Sequence, residues 1–253
     1  MNEALSEDQL TAWNSTGHLT VPDLFTRAAM LEAVEDLNIW SREFLQTLST
    51  AEESWFLERT DAAGRHLRKL DNPVFHRKVF RKLATDPRLL SLVTELIGPH
   101  LRIFFSQVFL KPPGTGGSKP VHQDNYYFGA AEPDQVLTAW IAIDDATLEN
   151  GCLHFTDGSH RQPVLPHCAP PDEPFNLQVL PESAAQFQMT PAPVRQGGVS
   201  FHHGNTLHQS GENRTAAPRR AVAVHFLSRH NRLVSPALDY DPAICVAATP
   251  QVF

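Results

Sequence analysis

The chain has 253 residues, a length typical of one large domain with a well-buried core. Hydrophobic residues make up 42% and charged residues 19%, which indicates a globular protein and excludes a largely disordered one. The net charge of −7 at pH 7 argues against a nucleic-acid-binding protein, because neutralising phosphates requires a basic surface.

The sequence also bears on cellular location. No apolar run approaches the length of a membrane-spanning helix, and the N-terminal MNEALSEDQL is acidic where a secretory signal would be basic. Cys152, Cys168 and Cys245 are scattered without metal-ligand spacing, which indicates reduced thiols. These features predict a cytoplasmic protein that binds neither membranes nor nucleic acids, and they leave its oligomeric state open.

The first 100 residues are predicted to be mainly helical. Ser6 and Gln9 match a capping box at the start of one helix, and Thr26 can cap a longer helix. Two shorter helices are predicted at 75–83 and 86–97, the second opening on Asp-Pro and ending at Gly-Pro. The long helix has an apolar face at helical spacing, made of Met30, Val34, Leu37, Trp40, Phe44 and Leu48.

From residue 101 the pattern changes to short β-branched and aromatic runs between Gly- and Pro-rich turns. Strands are predicted at 101–111, 136–143, 153–155, 199–202 and 221–227. Short strands preceded by helices predict a mostly β fold with flanking α-helices. Its core is expected to be a double-stranded β-helix, that is, a jelly-roll or cupin-like barrel.

A single domain is expected to include residues 1–253. Residues 1–100 would be mainly helical support, 101–230 the jelly-roll core and 231–253 a C-terminal tail. A proline-rich stretch at about 163–193 lies between strands and is interpreted as an insertion rather than an interdomain linker. Because long insertions at the mouth of a barrel often serve as lids, this one is expected to cover the site.

Two distant motifs point to a metal site. His122 and Asp124 are two residues apart, so on an extended strand their side chains point to one face and Gln123 points away. His208 is followed eleven residues later by Arg219. Two imidazoles and one carboxylate form the open facial ligand set that suits non-haem Fe(II), and arginine offers a planar fork to a carboxylate. With 13 histidines in the chain, the His-x-Asp pair alone is weak evidence.

The downstream motif strengthens this interpretation. In the segment FHHGNTLHQSGENRTAAPRRAVAVHF, His208 is followed by Ser210, Asn213 and Arg219. This spacing resembles the phytanoyl-CoA dioxygenase family of Fe(II)/2-oxoglutarate oxygenases. Similar to the family as well are LKPPGTGG, HQDNYYF, LTAWIAIDDATLENGCL and DGSH, so the resemblance covers essentially the whole chain.

The resemblance implies roles for individual residues. His122, Asp124 and His208 would bind Fe(II). Arg219 would pair with the distal carboxylate of 2-oxoglutarate, and Ser210 would hydrogen-bond the same group.

Further contacts with the co-substrate are expected around this pair. The resemblance implies that Gln107 contacts it, that Trp140 walls its pocket and that Lys69 reaches it from the helical region. Gln123, between the two N-terminal ligands, is also assigned to cofactor binding. Alternatives remain open, since Trp140 could be plain core, Gln107 could face solvent, and Arg68 could stand in the place of Lys69.

The implied reaction uses O2 and 2-oxoglutarate, releases succinate and CO2, and hydroxylates an unactivated C–H bond of a small-molecule metabolite. Halogenation is disfavoured, because Asp124 stands where related halogenases have a small residue. Two alternatives are a non-catalytic jelly-roll binding or sensing protein and a Zn(II) hydrolase using the same ligands. The second would leave Arg219 without a task.

Two weaker sequence features bear on the class of substrate. The aromatic run 126–128 is expected to line the cavity, which would suit an apolar or ring-bearing molecule. A basic segment could attract a carboxylate, a phosphate, a phosphonate or a CoA thioester, or could be only a solvated helix face. It consists of Arg59, Arg65, Arg68, Lys69, Arg77, Lys78, Arg81 and Lys82.

Overall fold

The helices lie mostly in the first 100 residues, as the sequence predicts. The computed structural model describes residues 4–59, 64–171, 173 and 176–248. Within these ranges no helix combines the length and the apolar character that crossing a membrane requires. The α-helices are α1 Glu7–Thr16, α2 Arg27–Thr47, α3 Glu53–Phe56, α4 Pro73–His76, α5 Lys78–Ala84, α6 Pro87–Ile97, α7 Asp124–Phe128 and α8 Pro181–Ala184.

The predicted helix caps are confirmed. At the start of α1, the Ser6 hydroxyl accepts from the backbone N–H of Gln9, and the Gln9 side chain accepts from the backbone N–H of Ser6. Thr26 caps α2 by accepting from the backbone N–H of Ala29. The predicted cap of α6 is also present, where the Asp86 carboxylate accepts from a backbone N–H in the first turn.

The prediction of one helix at 75–83 is wrong. Two short helices, α4 and α5, are separated by Arg77, whose backbone is extended with φ −126° and ψ 123°. The guanidinium of Arg77 donates to both carboxylate oxygens of Asp36 on α2, at 2.7 and 2.9 Å. A contact with a distant helix therefore accompanies the break, and no pattern local to the segment records it.

In the part of the chain that the structure describes, thirteen strands form three antiparallel sheets. Their bounds are β1 His18–Val21, β2 Lys69–Asp71, β3 Leu101–Lys111, β4 Lys119–His122, β5 Val136–Ala142, β6 Leu153–Phe155, β7 His167–Cys168, β8 Gln178–Val179, β9 Thr190–Ala192, β10 Val199–His203, β11 His208–Ser210, β12 Arg219–Ser228 and β13 Val246–Ala248. All five predicted strands are present, and the ends of three of them differ by one or two residues.

The two larger sheets confirm the jelly-roll fold class. The main sheet has the order β1-β10-β5-β12-β3-β13, with β2 also paired to β3. The small sheet has the order β4-β11-β6-β9, and β7 and β8 form a separate hairpin. Strands adjacent in each sheet are distant in sequence, which is the arrangement expected of a rolled double sheet.

Side chains on the central strands point alternately to the two faces of the main sheet and so contribute to two apolar clusters. On β12, Val222 and Val224 pack with the helices, whereas Ala221 and Ala223 belong to a smaller cluster with Trp140 of β5. Because successive side chains of a strand point to opposite faces, one face of the main sheet carries the helices. The other face carries small alanines beside Trp140, which leaves space for a cavity between the sheets.

Two segments extend this framework. The predicted insertion at 163–193 contains β7, β8, α8 and β9. The C-terminal segment is more than a tail, because β13 adds an edge strand to the main sheet by pairing with β3. Cys152, Cys168 and Cys245 are free thiols.

Candidate metal centre

Three predicted ligands converge between the two sheets. His122 is the last residue of β4 and His208 is the first of β11, and the two are direct cross-strand partners in the small sheet. The expectation that Asp124 continues the strand of His122 is wrong, because the chain turns after His122 and Asp124 begins α7. The turn nevertheless brings the carboxylate to both imidazoles.

The distances suit a shared ion. The Nε2 atoms of His122 and His208 lie 3.7 and 3.6 Å from Oδ1 of Asp124. All three ligand atoms lie within 4.8 Å of one another, and the three residues are buried. Within the described ranges, no other group of three His, Cys, Asp or Glu side chains meets this criterion.

Backbone carbonyls fix the tautomers of both histidines. Nδ1 of His122 lies 2.8 Å from the carbonyl of Pro120, and Nδ1 of His208 lies 2.9 Å from that of Thr206. A carbonyl only accepts, so each Nδ1 carries the proton and each Nε2 presents a lone pair to Asp124. This is the orientation that carbonyl partners impose on metal-binding histidines.

The other oxygen of Asp124 is held by protein donors. The Thr138 hydroxyl donates to Oδ2, and Nε2 of His202 lies 3.0 Å from the same atom. Nδ1 of His225 in turn lies 2.8 Å from the Thr138 hydroxyl. These contacts leave Oδ1 directed at the two Nε2 atoms. Sequence reasoning missed Thr138 and His225, since a threonine and a histidine in two apolar strands carry no motif.

Burial sets the charge of the centre. Burial, reinforced by His208, lowers the pKa of His122 well below its ordinary value, and burial lowers that of His208 to about 4. For Asp124, burial raises the pKa, but His208, His202 and His225 more than offset this and hold it well below its usual range. Two neutral nitrogens and one carboxylate oxygen therefore meet without a shared proton, which is a donor set that fits a divalent cation.

Arg219 is the second unusual feature of this region. It is the first residue of β12 and only 2% exposed, yet it has no ion-pair partner within the described ranges, and its Nε has no hydrogen-bond partner there. Its guanidinium carbon lies 5.4 Å from the centroid of the Trp140 ring. Burial lowers the pKa of Arg219 to about 10. A buried cation without an anion is costly, which indicates that an anion binds here.

The residues around Arg219 add charge and polarity. Lys111 of β3 is its direct cross-strand partner, and the buried Ser210 of β11 lines the same cavity. Glu58, also in the cavity wall, has a pKa raised by burial and lowered in part by Lys111. The structure thus brings Arg219, Ser210 and Trp140 together, as the sequence predicts, and adds Lys111 and Glu58.

Two other residues predicted to contact the co-substrate, Gln107 and Lys69, both hydrogen-bond Asp71. Gln107 lines the cavity and donates to Asp71 at 2.8 Å. Lys69 donates to the same carboxylate at 2.8 Å, and its ammonium lies 4.1 Å from the centroid of the Trp55 ring. It lies behind the cavity wall, and burial lowers its pKa to about 8.

Gln123 lies away from the cavity. Its amide nitrogen donates to the carbonyl of Asn205 at 2.8 Å, and its amide oxygen accepts from the backbone N–H of Leu165 at 2.8 Å. The side chain is fully buried by these contacts. Gln123 therefore fastens the start of the insertion to the metal motif, and its assignment to cofactor binding stays a prediction.

The cavity has a volume of about 290 Å³. Of the aromatic run, Tyr127 and Phe128 line it, whereas Tyr126 stacks on His167 of the insertion at a ring-centroid distance of 4.1 Å. Residues of the insertion, Glu173 and Asn176, also line the wall. The insertion is thus close to the site, while its action as a lid stays a prediction.

The predicted basic segment does not act as one surface. Arg59 and Arg68 line the cavity. Arg77 pairs with carboxylates of α2, and Lys82 lies 3.5 Å from Glu32. Only one end of the segment can therefore meet a ligand in this cavity.

A comparison with known protein families finds a match over most of the chain. A family model described as Phytanoyl-CoA dioxygenase (PhyH) matches residues 13–221. Phytanoyl-CoA dioxygenase domain-containing protein 1 of Mus musculus is 34% identical over 166 residues, which are 64% of this chain and 57% of that protein. This chain therefore aligns with little more than half of that relative.

Two further similarities extend over more of the chain. A methylphosphonate hydroxylase of Gimesia maris is 29% identical over 231 residues, 89% of this chain and 82% of that protein. The crystal structure of EctD from S. alaskensis with 2-oxoglutarate and 5-hydroxyectoine has a TM-score of 0.74 at 21% identity, covering 99% of this chain and 88% of that one. At this identity the structural likeness establishes the fold alone.

Proposed function

The chain belongs to the phytanoyl-CoA dioxygenase family, and from this premise we propose that it is a non-haem Fe(II)- and 2-oxoglutarate-dependent dioxygenase. Its reaction would hydroxylate an unactivated C–H bond of a small metabolite, with O2 as oxidant and succinate and CO2 as products. The observation that carries the proposal is the common cavity of Arg219 and the three ligand atoms. The three ligand atoms fit a divalent metal, and the guanidinium of Arg219, which has no ion-pair partner among the described residues, fits a carboxylate.

Each residue then has a defined task. His122, Asp124 and His208 hold Fe(II), which supplies the oxygen chemistry when 2-oxoglutarate is bound. Asp124 would offer Oδ1 to the metal, because its Oδ2 accepts the hydrogen bond from Thr138. Arg219 anchors the distal carboxylate of 2-oxoglutarate.

Other side chains complete the co-substrate site. Ser210 donates to the same distal carboxylate, Trp140 forms a wall beside Arg219, and Gln107 stands at the cavity surface. Lys69 does not line the cavity but donates a hydrogen bond to the Asp71 carboxylate, which also accepts from Gln107. Lys69 therefore helps to position Gln107.

A Zn(II) hydrolase with the same ligands fits less well. It would use an activated water and gives the buried guanidinium of Arg219 no anion to bind. A non-catalytic binding protein would likewise leave the three converging ligand atoms without a purpose.

The test is an anaerobic titration of metal-free protein with Fe(II) and then 2-oxoglutarate, followed by visible absorption. We expect a weak metal-to-ligand charge-transfer band that disappears in Asp124→Ala and His208→Ala. The matched control is His154→Ala, which removes a histidine that hydrogen-bonds the carbonyl of Cys152 outside the cavity wall. Metal binding without a band in the unmodified protein would contradict the proposal and favour the hydrolase.

A further inference from the structure

The cavity is ordered along the main sheet, with charged side chains at one end and aromatic rings at the other. At the charged end Arg219 of β12 pairs with Lys111 of β3, and six residues later along β12 His225 pairs with Phe105. Alternate residues of a strand point to one face of the sheet, and all four of these side chains line the cavity. At about 3.3 Å per residue, the two ends are roughly 20 Å apart along β12.

The metal donors lie at the aromatic end. Thr138, whose hydroxyl donates to Asp124, is the direct cross-strand partner of His225. From the small sheet, the His122 ring lies edge-on to that of Tyr127, with 5.9 Å between the ring centroids. The co-substrate is assigned to the stretch between the charged end and these donors. The part of the cavity left for a second molecule is therefore the aromatic end.

The surface of the aromatic end is apolar. Phe105 stacks on the His225 ring at 5.5 Å between centroids, and Phe128 lies 4.8 Å from the same ring. Nδ1 of His225 and the Thr138 hydroxyl are already joined by a hydrogen bond of 2.8 Å. Phe105 is only half-buried although it lies inside the cavity, so part of its ring is open to a ligand. This surface suits a carbon group rather than a charged one.

The C-terminal strap, defined as residues 232–240, lies across this end of the cavity. The backbone N–H of Ala237 donates to the carbonyl of Tyr127 at 3.0 Å. Gly129 has a positive φ of 58°, and a Cβ at this position would collide with the backbone of Ser235. The strap is therefore packed backbone against backbone on the end of α7, which fixes its distance from the aromatic rings.

Of the strap residues, Leu238 lines the cavity, where it is half-buried. Two residues later, the Tyr240 ring packs against Phe105 with 5.2 Å between centroids. The Tyr240 hydroxyl donates to the carbonyl of Tyr127 at 3.3 Å. Leu238 is thus held between the two places where the strap contacts Tyr127, and its side chain forms part of the wall at the aromatic end.

We propose that the aromatic end binds an uncharged carbon group of the primary substrate, an aliphatic chain or a small ring, and that Leu238 limits the length of the group accepted. The group lies between Phe105 and Phe128, with one end beside the metal donors and the other against Leu238. The whole cavity has a volume of about 290 Å³ and the co-substrate occupies part of it, so the group is compact. This inference rests on the proposed function, because that function assigns the charged end to the co-substrate.

The test uses straight-chain primary alcohols, from n-propanol to n-octanol, as probes. The anaerobic protein loaded with Fe(II) and 2-oxoglutarate is titrated with each alcohol, and binding is followed by calorimetry and by the charge-transfer band. Affinity should rise about fourfold for each added carbon, the worth of one buried methylene, until the chain reaches Leu238 and then stop rising. Each alcohol that binds should shift the band, because the aromatic end begins at the metal donors.

Two substitutions should move this length limit in opposite directions. Leu238→Ala shortens the side chain in the wall and should extend the rise in affinity by about two carbons, whereas Leu238→Phe should end it earlier. The matched control is Val234→Ala, because Val234 belongs to the same strap but is 60% exposed and lies outside the cavity wall. It should leave the length limit unchanged.

Three results would overturn the inference. They are an affinity that does not rise with chain length, bound alcohols that leave an existing band unshifted, and a length limit that stays the same in the Leu238 variants. An equal shift of the limit in Val234→Ala would also overturn it, because the strap as a whole, and not the side chain of Leu238, would then set the limit.

The two readouts separate this inference from the proposed function. If the charge-transfer band forms but Leu238 does not govern the length limit, the inference alone is wrong. If no band forms while the limit is present and moves in the Leu238 variants, the proposed function is wrong and the apolar binding site stands.

Discussion

Replacing Arg219 with methionine is expected to stabilise the metal-free protein while it impairs co-substrate binding. Arg219 is 2% exposed and has no carboxylate partner within the described ranges. Methionine fills much of the same space without the charge. The substitution therefore removes a group that opposes folding until an anion arrives.

The magnitude follows from the pKa. The lowering from 12.5 to about 10 corresponds to a cost of about 3 kcal/mol for the charged guanidinium of Arg219. Because the folded-state pKa lies below that of the unfolded chain, this cost is fully present at pH 7 and is relieved only above about pH 10. We expect Arg219→Met to raise the free energy of unfolding by about 1–3 kcal/mol. The gain is smaller than the full cost of the buried charge because the contact between Arg219 and Trp140 is lost.

Co-substrate binding should change in the opposite direction. Losing one partner of a buried charge pair costs about 2–5 kcal/mol, so the half-saturating 2-oxoglutarate concentration should rise by a factor of about 30 or more. Urea denaturation in EDTA measures the first effect, and the anaerobic charge-transfer titration measures the second. Fe(II) binding without co-substrate should be unchanged.

The neighbouring arginine provides the control. Arg220 donates to both oxygens of Asp144 at 2.7 and 2.8 Å, so Arg220→Met should destabilise the protein and leave the 2-oxoglutarate requirement unchanged. The reasoning would be refuted if Arg219→Met destabilised the metal-free protein as much as Arg220→Met. An unchanged 2-oxoglutarate requirement in Arg219→Met would equally remove this residue from the co-substrate site.

Three further predictions concern the centre and the insertion. Thr138→Val should weaken Fe(II) binding by about 10- to 100-fold in a metal titration, because it frees Oδ2 of the carboxylate, whereas Thr138→Ser should not. Burial lowers the pKa of His208 and His225 to about 4 from 6.5, so the unfolded chain takes up protons first on acidification. Urea denaturation in EDTA should show stability falling between pH 6.5 and about 4, by up to about 3 kcal/mol for each histidine, and a flat profile there would contradict this. Gln123→Ala should speed limited proteolysis near Leu165 while the main sheet stays intact, and an unchanged cleavage rate would mean that other contacts hold the insertion.

Much of this fold can be read from local sequence pattern. The caps at Ser6 and Thr26 and the strand Leu101–Lys111 depend on residues within a few positions of one another, and all are confirmed. The break at Arg77 depends on Asp36, more than forty residues away, so no local pattern records it. The strand formed by Val246–Ala248 likewise depends on its pairing with β3, which lies far earlier in the chain.

In the candidate site, too, some features follow from local sequence pattern and others depend on contacts between distant elements. The spacing of His122, Asp124, His208 and Arg219 forms motifs that the sequence displays, although Asp124 lies in α7 and not in the predicted strand. The contacts of Asp124 with Thr138, His202 and His225 join four elements, and polar residues in apolar strands look ordinary until the sheets are paired.

The pairing of His122 with His208 ties iron uptake to correct assembly of the small sheet. Both histidines present Nε2 to one point because they are direct partners across β4 and β11. A slip of one residue in this pairing would turn one imidazole to the opposite face of the sheet. Only the chain with the native register could then use the free energy of metal binding, so iron added during refolding would select that register among competing pairings.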